Sequence, residues 1–317
     1  MYYLGIDTSC YTTSIALIDN EENLIADKRI MLKVKQGAKG LRQSEAFYQH
    51  IRNLDILLED LFYVVSPNKI KAIGVSSKPR NYLDSYMPVF NSGLHIGNVI
   101  RLSLGIPAYL LSHQENHILA GLWSKKINQN SPMAAYHISG GTTELLLVEG
   151  NMNTNIEVIG GSSDLKAGQF IDRVGVAMGL KFPCGKEMDR LSQSVNDAGI
   201  VIPISIKESY ASFSGPETFV QRIVKAGQYD KAKLSKAVFI CIAKSIEETL
   251  INSRKKFEWT NILFIGGVSS NTIIKNYLLG SDKLSKYSIN PIFAEGQYAI
   301  DNAVGGAIYA KKHFRGC

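Results

Sequence analysis

A chain of 317 residues with a formal net charge of +7 and a sequence pI near 9.0 has room for two ordinary domains, or one large α/β unit, around a substantial core. The basic balance suits contact with a polyanion such as nucleic acid without demanding it, and the densest basic cluster, Arg254-Lys255-Lys256, reads as a solvated helix end. Four cysteines, Cys10, Cys184, Cys241 and Cys317, lie far apart with no CxxC spacing, which argues against a disulfide framework or zinc ribbon and for a reducing cytoplasm.

Met1 leads straight into a strand at 2–6 with no basic-then-apolar leader, and no apolar run reaches membrane-spanning length, so a soluble cytoplasmic chain is expected. Asp7-Thr8-Ser9 reads as a polar turn before a second strand at 14–18, together a hairpin. Residues 46–62 carry Ile51, Leu54, Leu57, Leu58 and Leu61 on one stripe of an amphipathic helix, and 70–75 form a buried strand after Pro67. The loop Ser76-Ser77-Lys78-Pro79-Arg80-Asn81-Tyr82 leads to a helix near 94–104 and a strand at 108–111. A second section opens with strand 134–138, the turn Ser139-Gly140-Gly141-Thr142 and strand 144–148, the same plan as the first hairpin. Gly160-Gly161 is expected to turn the chain towards a helix at 166–178 ended by Gly179, and the loop Phe182-Pro183-Cys184-Gly185 precedes a helix bearing Asp189. Residues 232–254 form a long helix, 262–265 a buried strand, Gly266-Gly267-Val268-Ser269 a turn that opens a helix, and Asp301 precedes a small-residue helix at 303–310. Strands alternating with helices, twice over, predict an α/β protein of two related lobes.

The chemistry-bearing stretch is Ser112-His113-Gln114-Glu115-Asn116-His117. Ser112 and Glu115 match a capping box, and one helical turn separates His113 from His117, so both rings leave the same face and could grip one metal ion. Without a third ligand, the pair suits two ordinary core-edge histidines equally well. The turns at 7–9, 139–142 and 266–269 combine glycines with hydroxyls and amides that suit an oxygen anion, though none matches the Walker lysine or GxGxxG patterns.

Taken in order, IDTS at 6–9, SHQENH at 112–117, ISGGT at 138–142, Phe170-Ile171-Asp172, FPCGKEMD at 182–189, FSG at 213–215, IGGVSSN at 265–271 and IDNA at 300–303 resemble the tRNA N6-adenosine threonylcarbamoyltransferase family. Its older names are glycoprotease and O-sialoglycoprotein endopeptidase, but no HExxH or nucleophile-base pattern here supports peptidase chemistry. The resemblance implies two facing actin-like or sugar-kinase-like (ribonuclease-H-like) lobes with a nucleotide and metal site in the cleft between them. It places the first lobe at 1–112, completed by 298–317, and the second at 113–297. It implies that His113, His117 and Asp301 hold one divalent metal ion, iron or zinc. Ile138, Ser139, Gly140, Gly141, Thr142, Asp172, Gly185, Asp189 and Asn271 fall on positions that hold threonylcarbamoyl-adenylate or an adenine nucleotide. The implied reaction transfers threonylcarbamoyl to N6 of adenosine in tRNA. The implied partners are tRNA, an adenylate-forming synthase and small helper subunits, in a hetero-oligomer or homodimer away from membranes. Asp301, Asp172 and Asn271 also have plainer readings, as an N-cap, an exposed helix residue and an N-cap.

The chain departs from the family pattern at several points. Tyr11 and Thr12 stand where an acidic residue follows the first hairpin motif, and Thr142 replaces the histidine of SGGHT. Lys78-Pro79-Arg80-Asn81-Tyr82 replaces a GPGL loop, and Glu217 replaces the lysine of FSGLKT. Three readings follow: a tRNA-modifying transferase, a paralogue that binds metal and nucleotide as a scaffold or regulator, and a nucleotide-dependent kinase or carbamoyltransferase acting on a small molecule.

Overall fold

The computed structural model describes residues 1–9, 11–34, 41–82, 84–149 and 155–315; Cys10 and Cys317 lie outside them. Contacts divide the chain into two compact units, Met1–Ile127 with Ile300–Cys317, and Asn128–Ala299.

The first unit begins with strands β1 (Tyr2–Ser9), β2 (Thr12–Asp19) and β3 (Leu24–Met31), followed by helix α1 (Gln43–Val64), β4 (Ile70–Lys78), α2 (Phe90–Leu104), β5 (Ala108–Ser112) and α3 (His113–Ser124). The apolar stripe of α1 buries Leu54, Leu57 and Leu61, and α2 stops at Gly105, whose φ of 64° is the left-handed value that lets a glycine end a helix. The sheet runs β3-β2-β1-β4-β5, with β1 to β3 an antiparallel meander and β1, β4 and β5 parallel. The carboxyl ends of those three parallel strands, at Ser9, Lys78 and Ser112, therefore share one edge of the sheet, where ligands of open α/β sheets bind.

Asp7-Thr8-Ser9 is not a turn. The three residues complete β1, paired in register with Ser14, Thr13 and Thr12, and all three are buried. Turn-forming residue types persist in a strand here because each polar side chain finds a partner: Ser9 donates to Asp7 and Thr8 donates to the Val89 carbonyl.

The second unit contains β6 (Met133–Ile138), β7 (Thr143–Val148), β8 (Ile156–Ser162), α4 (Ala167–Ala177), α5 (Gly185–Gln193), β9 (Ser205–Lys207), β10 (Tyr210–Ser212), α6 (Ser214–Ala226) and α7 (Lys231–Arg254). It continues with β11 (Asn261–Ile265), α8 (Thr272–Leu279), α9 (Asp282–Lys286), β12 (Asn290–Phe293) and α10 (Gly296–Ala299). Its sheet order, β12-β11-β6-β7-β8-β10-β9, repeats that of the first unit, β6, β7 and β8 standing for β1, β2 and β3, and β11 and β12 for β4 and β5. The repeated plan visible in the sequence is thus a repeated topology, extended by the short β10 and β9. Gly160 and Gly161 do not turn the chain into a helix but lie in β8, where Gly161 has φ 136° and a Cβ would meet the Thr143 carbonyl at 2.3 Å. Arg254, Lys255 and Lys256 do close a helix, α7, and Lys256 pairs with Glu208 on the surface. Cys184 and Cys241 are free and buried.

The closing helix α11 (Val304–His313) returns to the first unit. Its glycines and alanines let it lie against the sheet at backbone distance: a Cβ on Gly74 would sit 1.9 Å from the Gly306 carbonyl oxygen, and one on Gly5 would sit 2.0 Å from that of Ala303. The units therefore break after Ile127 and before Ile300, so α3 falls in the first unit and not, as the 112/113 boundary placed it, in the second. The physical reason is Asn116 on α3, whose side chain donates to the Asn302 carbonyl at 2.5 Å and accepts from the Gly306 amide at 2.8 Å. Among the described residues no helix is long and apolar enough to cross a membrane.

Candidate functional site

Strand β5 passes directly into α3 through Ser112, whose hydroxyl accepts from the Glu115 amide at 3.2 Å while the Glu115 carboxylate accepts from the Ser112 amide at 2.6 Å. This capping box starts the helix at His113 and sends His113 and His117 out on one side. Asp301 arrives from the other end of the chain, just before α11. The plainer reading of Asp301 as an N-cap fails, because Ala303 holds the cap position and the Asn302 carboxamide accepts from the Val304 amide at 2.9 Å.

His113, His117 and Asp301 present ligand atoms within 4.8 Å of one another. The two Nε2 atoms lie 3.1 Å apart, and Asp301 Oδ1 is 3.4 Å from that of His117 and 3.7 Å from that of His113. Ligands held at about 2.0–2.2 Å around a tetrahedral ion are separated by roughly 3.3–3.6 Å, so the spacing fits one small divalent cation. His117 is nearly buried at 2% exposure, whereas 31% of the Asp301 side chain faces solvent, so the trio is open on the carboxylate side.

Asp7 holds the first histidine in place. Its Oδ1 lies 2.9 Å from His113 Nδ1, and its Oδ2 accepts from the Ser9 hydroxyl at 2.7 Å. A carboxylate on Nδ1 places that nitrogen's proton and turns Nε2 towards Asp301 and His117, the arrangement that orients histidine ligands in metal sites. Burial alone would favour neutral His113, but Asp7, by charge and hydrogen bond, and Asp301 overcome it and raise its pKa to about 9. For His117, burial and the neighbouring His113 charge prevail and push the pKa down. Burial raises the Asp301 carboxyl, yet the two histidines outweigh it and hold it well below the usual carboxylate range. His113 is thus held as an imidazolium between two carboxylates, and a cation would take the place of its Nε2 proton. Arg29 fixes the Asp301 backbone, donating to its carbonyl at 3.0 Å. Asp7, Arg29 and Asn116 were not readable as parts of this site: each acts through a contact that the fold creates. The sequence signal for Asp7, a carboxylate ending an apolar strand, pointed instead to a turn.

In the second unit, the turn after β6 closes on itself. The Ser139 amide donates to the Thr142 carbonyl at 2.8 Å, and the Gly141 and Thr142 amides point at Ser139 Oγ at 3.3 and 3.1 Å. Two amides expected to face a ligand are thus bound within the turn, while Gly140 and Gly141 are exposed with open space where a Cβ would stand. Gly266, at φ 93°, lies against the Ile138 carbonyl, which a Cβ would meet at 2.3 Å, so the turns ending β6 and β11 are brought together. The second turn does not open a helix directly: Gly267–Ser270 forms a short 3-10 segment, and Asn271 caps α8 by accepting from the Ile274 amide at 2.9 Å. The same Asn271 side chain donates to Asp189 Oδ1 at 2.7 Å, joining two of the selected residues. Asp172 accepts from the Cys184 amide at 2.7 Å, beside Gly185, and partial burial raises its pKa. Glu217 accepts from Gln221 at 3.0 Å in the first turns of α6, and Tyr11 is 43% exposed at the end of the first hairpin.

The fold has many relatives. A HypF structure in phosphate- and nucleotide-bound form is similar over 99% of this chain and 56% of that chain, with TM-score 0.62 and 14% identity. A ROK family glucokinase from Streptomyces griseus covers 98% of this chain and 100% of its own at TM-score 0.57 and 10% identity. At such identities these likenesses show the fold alone, a two-lobed sugar-kinase-like α/β architecture. The sequence relatives are more specific. A tRNA N6-adenosine threonylcarbamoyltransferase from Buchnera aphidicola is 27% identical over 322 residues, spanning 97% of this chain and 92% of that protein. One from Persephonella marina is 26% identical, spanning 99% and 91%. The family model described as tRNA N6-adenosine threonylcarbamoyltransferase matches residues 25–307, and the chain belongs to that family.

Proposed function

We propose that this protein transfers a threonylcarbamoyl group from its adenylate to N6 of adenosine in tRNA, in the cytoplasm and with a divalent metal held by His113, His117 and Asp301. The observation that carries the reading is the approach of those three side chains, with Asp7 behind His113, in a chain of this family. A metal held by these two imidazoles and a carboxylate, iron or zinc by their chemistry, would supply a Lewis acid to stabilise negative charge growing on the carbamoyl oxygen.

The chain's own residues do the rest. Asp7 keeps a proton on His113 Nδ1, so that the lone pair of Nε2 is left to serve as a metal ligand beside His117 and Asp301. Asn116 and Arg29 hold the segment bearing Asp301 at its distance from α3. In the second unit the turns ending β6 and β11, with Asp172, Gly185, Asp189 and Asn271 beside them, are assigned to the adenylate. The exposed glycines let its phosphate approach the backbone. The N6 amine attacks the carbamoyl carbon, the bond from that carbon to the phosphate oxygen breaks with its electron pair leaving on AMP, and the proton lost by the amine passes to solvent. An adenylate-forming synthase and small helper subunits are the partners this scheme requires.

The test supplies purified protein with the synthase, helper subunits, ATP, bicarbonate, threonine and unmodified tRNA, and reads modified adenosine by mass spectrometry. The expected result is modification that falls at least about 100-fold in His113→Ala, the upper end of what losing even an outer partner of a metal ligand costs. No modification by the unaltered protein would refute the transferase. It would favour the second reading, a chain that binds without turnover, for which Tyr11, Thr142 and Glu217 speak.

A further inference from the structure

The chain following the carboxyl ends of β1 and β4 carries aromatic and basic residues at the sheet edge where His113 stands. Tyr11 follows β1 and is 43% exposed; Tyr82 and Tyr86 follow β4 and are 50% and 66% exposed. Lys78 ends β4 opposite Ser112, the residue before His113, and the Pro79 carbonyl accepts from the Gln114 amide at 3.1 Å. The loop is therefore fastened to the first turn of α3.

A single exposed tyrosine requires no explanation. Here two of the three are held by their hydroxyls while half or more of each residue stays exposed. Arg80 donates from its guanidinium to the Tyr82 hydroxyl at 3.2 Å, and its amide donates to Ser85 Oγ at 2.9 Å. Asn91 on α2 donates to the Tyr86 hydroxyl at 3.1 Å. Rings fixed at their hydroxyl ends lose little freedom when something stacks on them, and Arg80 and Lys78 add positive charge beside them. Exposed aromatic faces interleaved with cations are the means by which proteins hold unpaired bases of RNA, the rings stacking and the cations meeting phosphates. A duplex, whose bases are already stacked, offers such rings nothing.

We infer that Tyr11, Lys78, Arg80, Tyr82 and Tyr86 form the surface that receives unpaired nucleotides of the acceptor RNA next to His113, with Tyr82 and Tyr86 as its stacking platforms. The inference takes the identity of the acceptor from the tRNA reading above, but not its chemistry. It also assigns a role to Lys78-Pro79-Arg80-Asn81-Tyr82, the loop that stands in place of the family's GPGL sequence.

The test measures binding of a fluorescently labelled, unmodified tRNA transcript by anisotropy to the full-length protein and to three variants. The double variant Tyr82→Ala/Tyr86→Ala is expected to bind at least about 30-fold more weakly, the low end for losing two base stacks. Tyr82→Phe/Tyr86→Phe keeps both rings but loses their hydroxyl tethers, and is expected to bind more weakly than the unaltered protein yet clearly more tightly than the alanine variant, since stacking uses the ring face. Arg80→Ala is expected to flatten the salt dependence by about one phosphate contact. A blunt RNA duplex of equal charge should compete poorly. Melting temperature and metal content are read on each variant to show that the fold and the histidine site are intact. The inference is overturned if the intact alanine variant binds as tightly as the unaltered protein, if the phenylalanine variant is as weak as the alanine one, or if the duplex competes equally. It also falls if no RNA binds. Tight stacking-dependent binding without modified adenosine would refute the transferase and leave this surface standing. Modification by the alanine variant with unchanged kcat/KM for tRNA would do the reverse.

Discussion

Replacing Asp7 by Asn preserves the shape of the side chain but removes the charge that holds the His113 proton on Nδ1 at 2.9 Å. The expected result is metal affinity lower by about 10- to 100-fold, as for other carboxylates behind histidine ligands, checked by chelator competition. The same contact sets a pH dependence. With Asp7 and Asp301 against it, metal-free His113 keeps its second proton until about pH 9, and a cation must displace that proton. Metal affinity should therefore rise by roughly tenfold per pH unit towards pH 9 and level off above it, with one proton released per ion. Stability of the metal-free protein runs the other way. A histidine whose folded pKa lies above its ordinary 6.5 contributes stability below pH 6.5, and that contribution is lost as the pH rises through about 9. The pair of histidines was legible because four-residue spacing on a capped helix is a local property. The charges that tune them belong to residues 106 positions earlier and far downstream, which no local pattern connects.

Helix α11 positions Asp301 by lying on β1 and β4 at backbone distance, and only glycine fits the crossing at Gly74, where a Cβ would stand 1.9 Å from the Gly306 oxygen. Gly74→Ala must push the helix away. The expected cost is about 3 kcal/mol or more, at the severe end of overpacking, read as a lower urea midpoint together with reduced metal content because Asp301 moves with α11. Long elements were readable from their periodicity: α1, α4, α7 and β6 lie within a few residues of where the apolar patterns put them. The errors came from residue types whose local preference the tertiary structure overrides. Asp7, Thr8 and Ser9 favour turns, yet neighbouring strands pair them and local partners satisfy their side chains. Gly160 and Gly161 favour a break, yet they let β8 pass close to Ser209 and Thr143. The strands β9 and β10, three residues each, are too short to carry a period.

The chain leaves its first unit at Ile127 and returns to it at Ile300, which makes the two units unequal in autonomy. Residues 128–299 are contiguous and have their own core around Phe170, Phe213, Phe239 and Phe264, so that fragment should melt cooperatively in calorimetry. Residues 1–127 lack α11, whose Ala303, Val304, Ala307 and Ile308 are buried. That fragment should show no cooperative transition until 300–317 is supplied by fusion or as a peptide. The sequence by itself determined the α/β class, the doubled strand plan, the capped histidine helix and, through the order of its motifs, the family. The first three rest on periodicity, capping and spacing, which act over a few residues; the family rests on the resemblance of its motifs in order along the chain. Only the tertiary structure decided that Asp7 is a buried partner of His113, that Asn116 ties α3 to the returning helix, that Asp301 is not a cap but stands 3.4 Å from His117, and that the loop after β4 is fastened beside them. Those contacts join residues more than a hundred positions apart or on separate elements, and their energy exists only once the sheet has brought the strand ends to one edge.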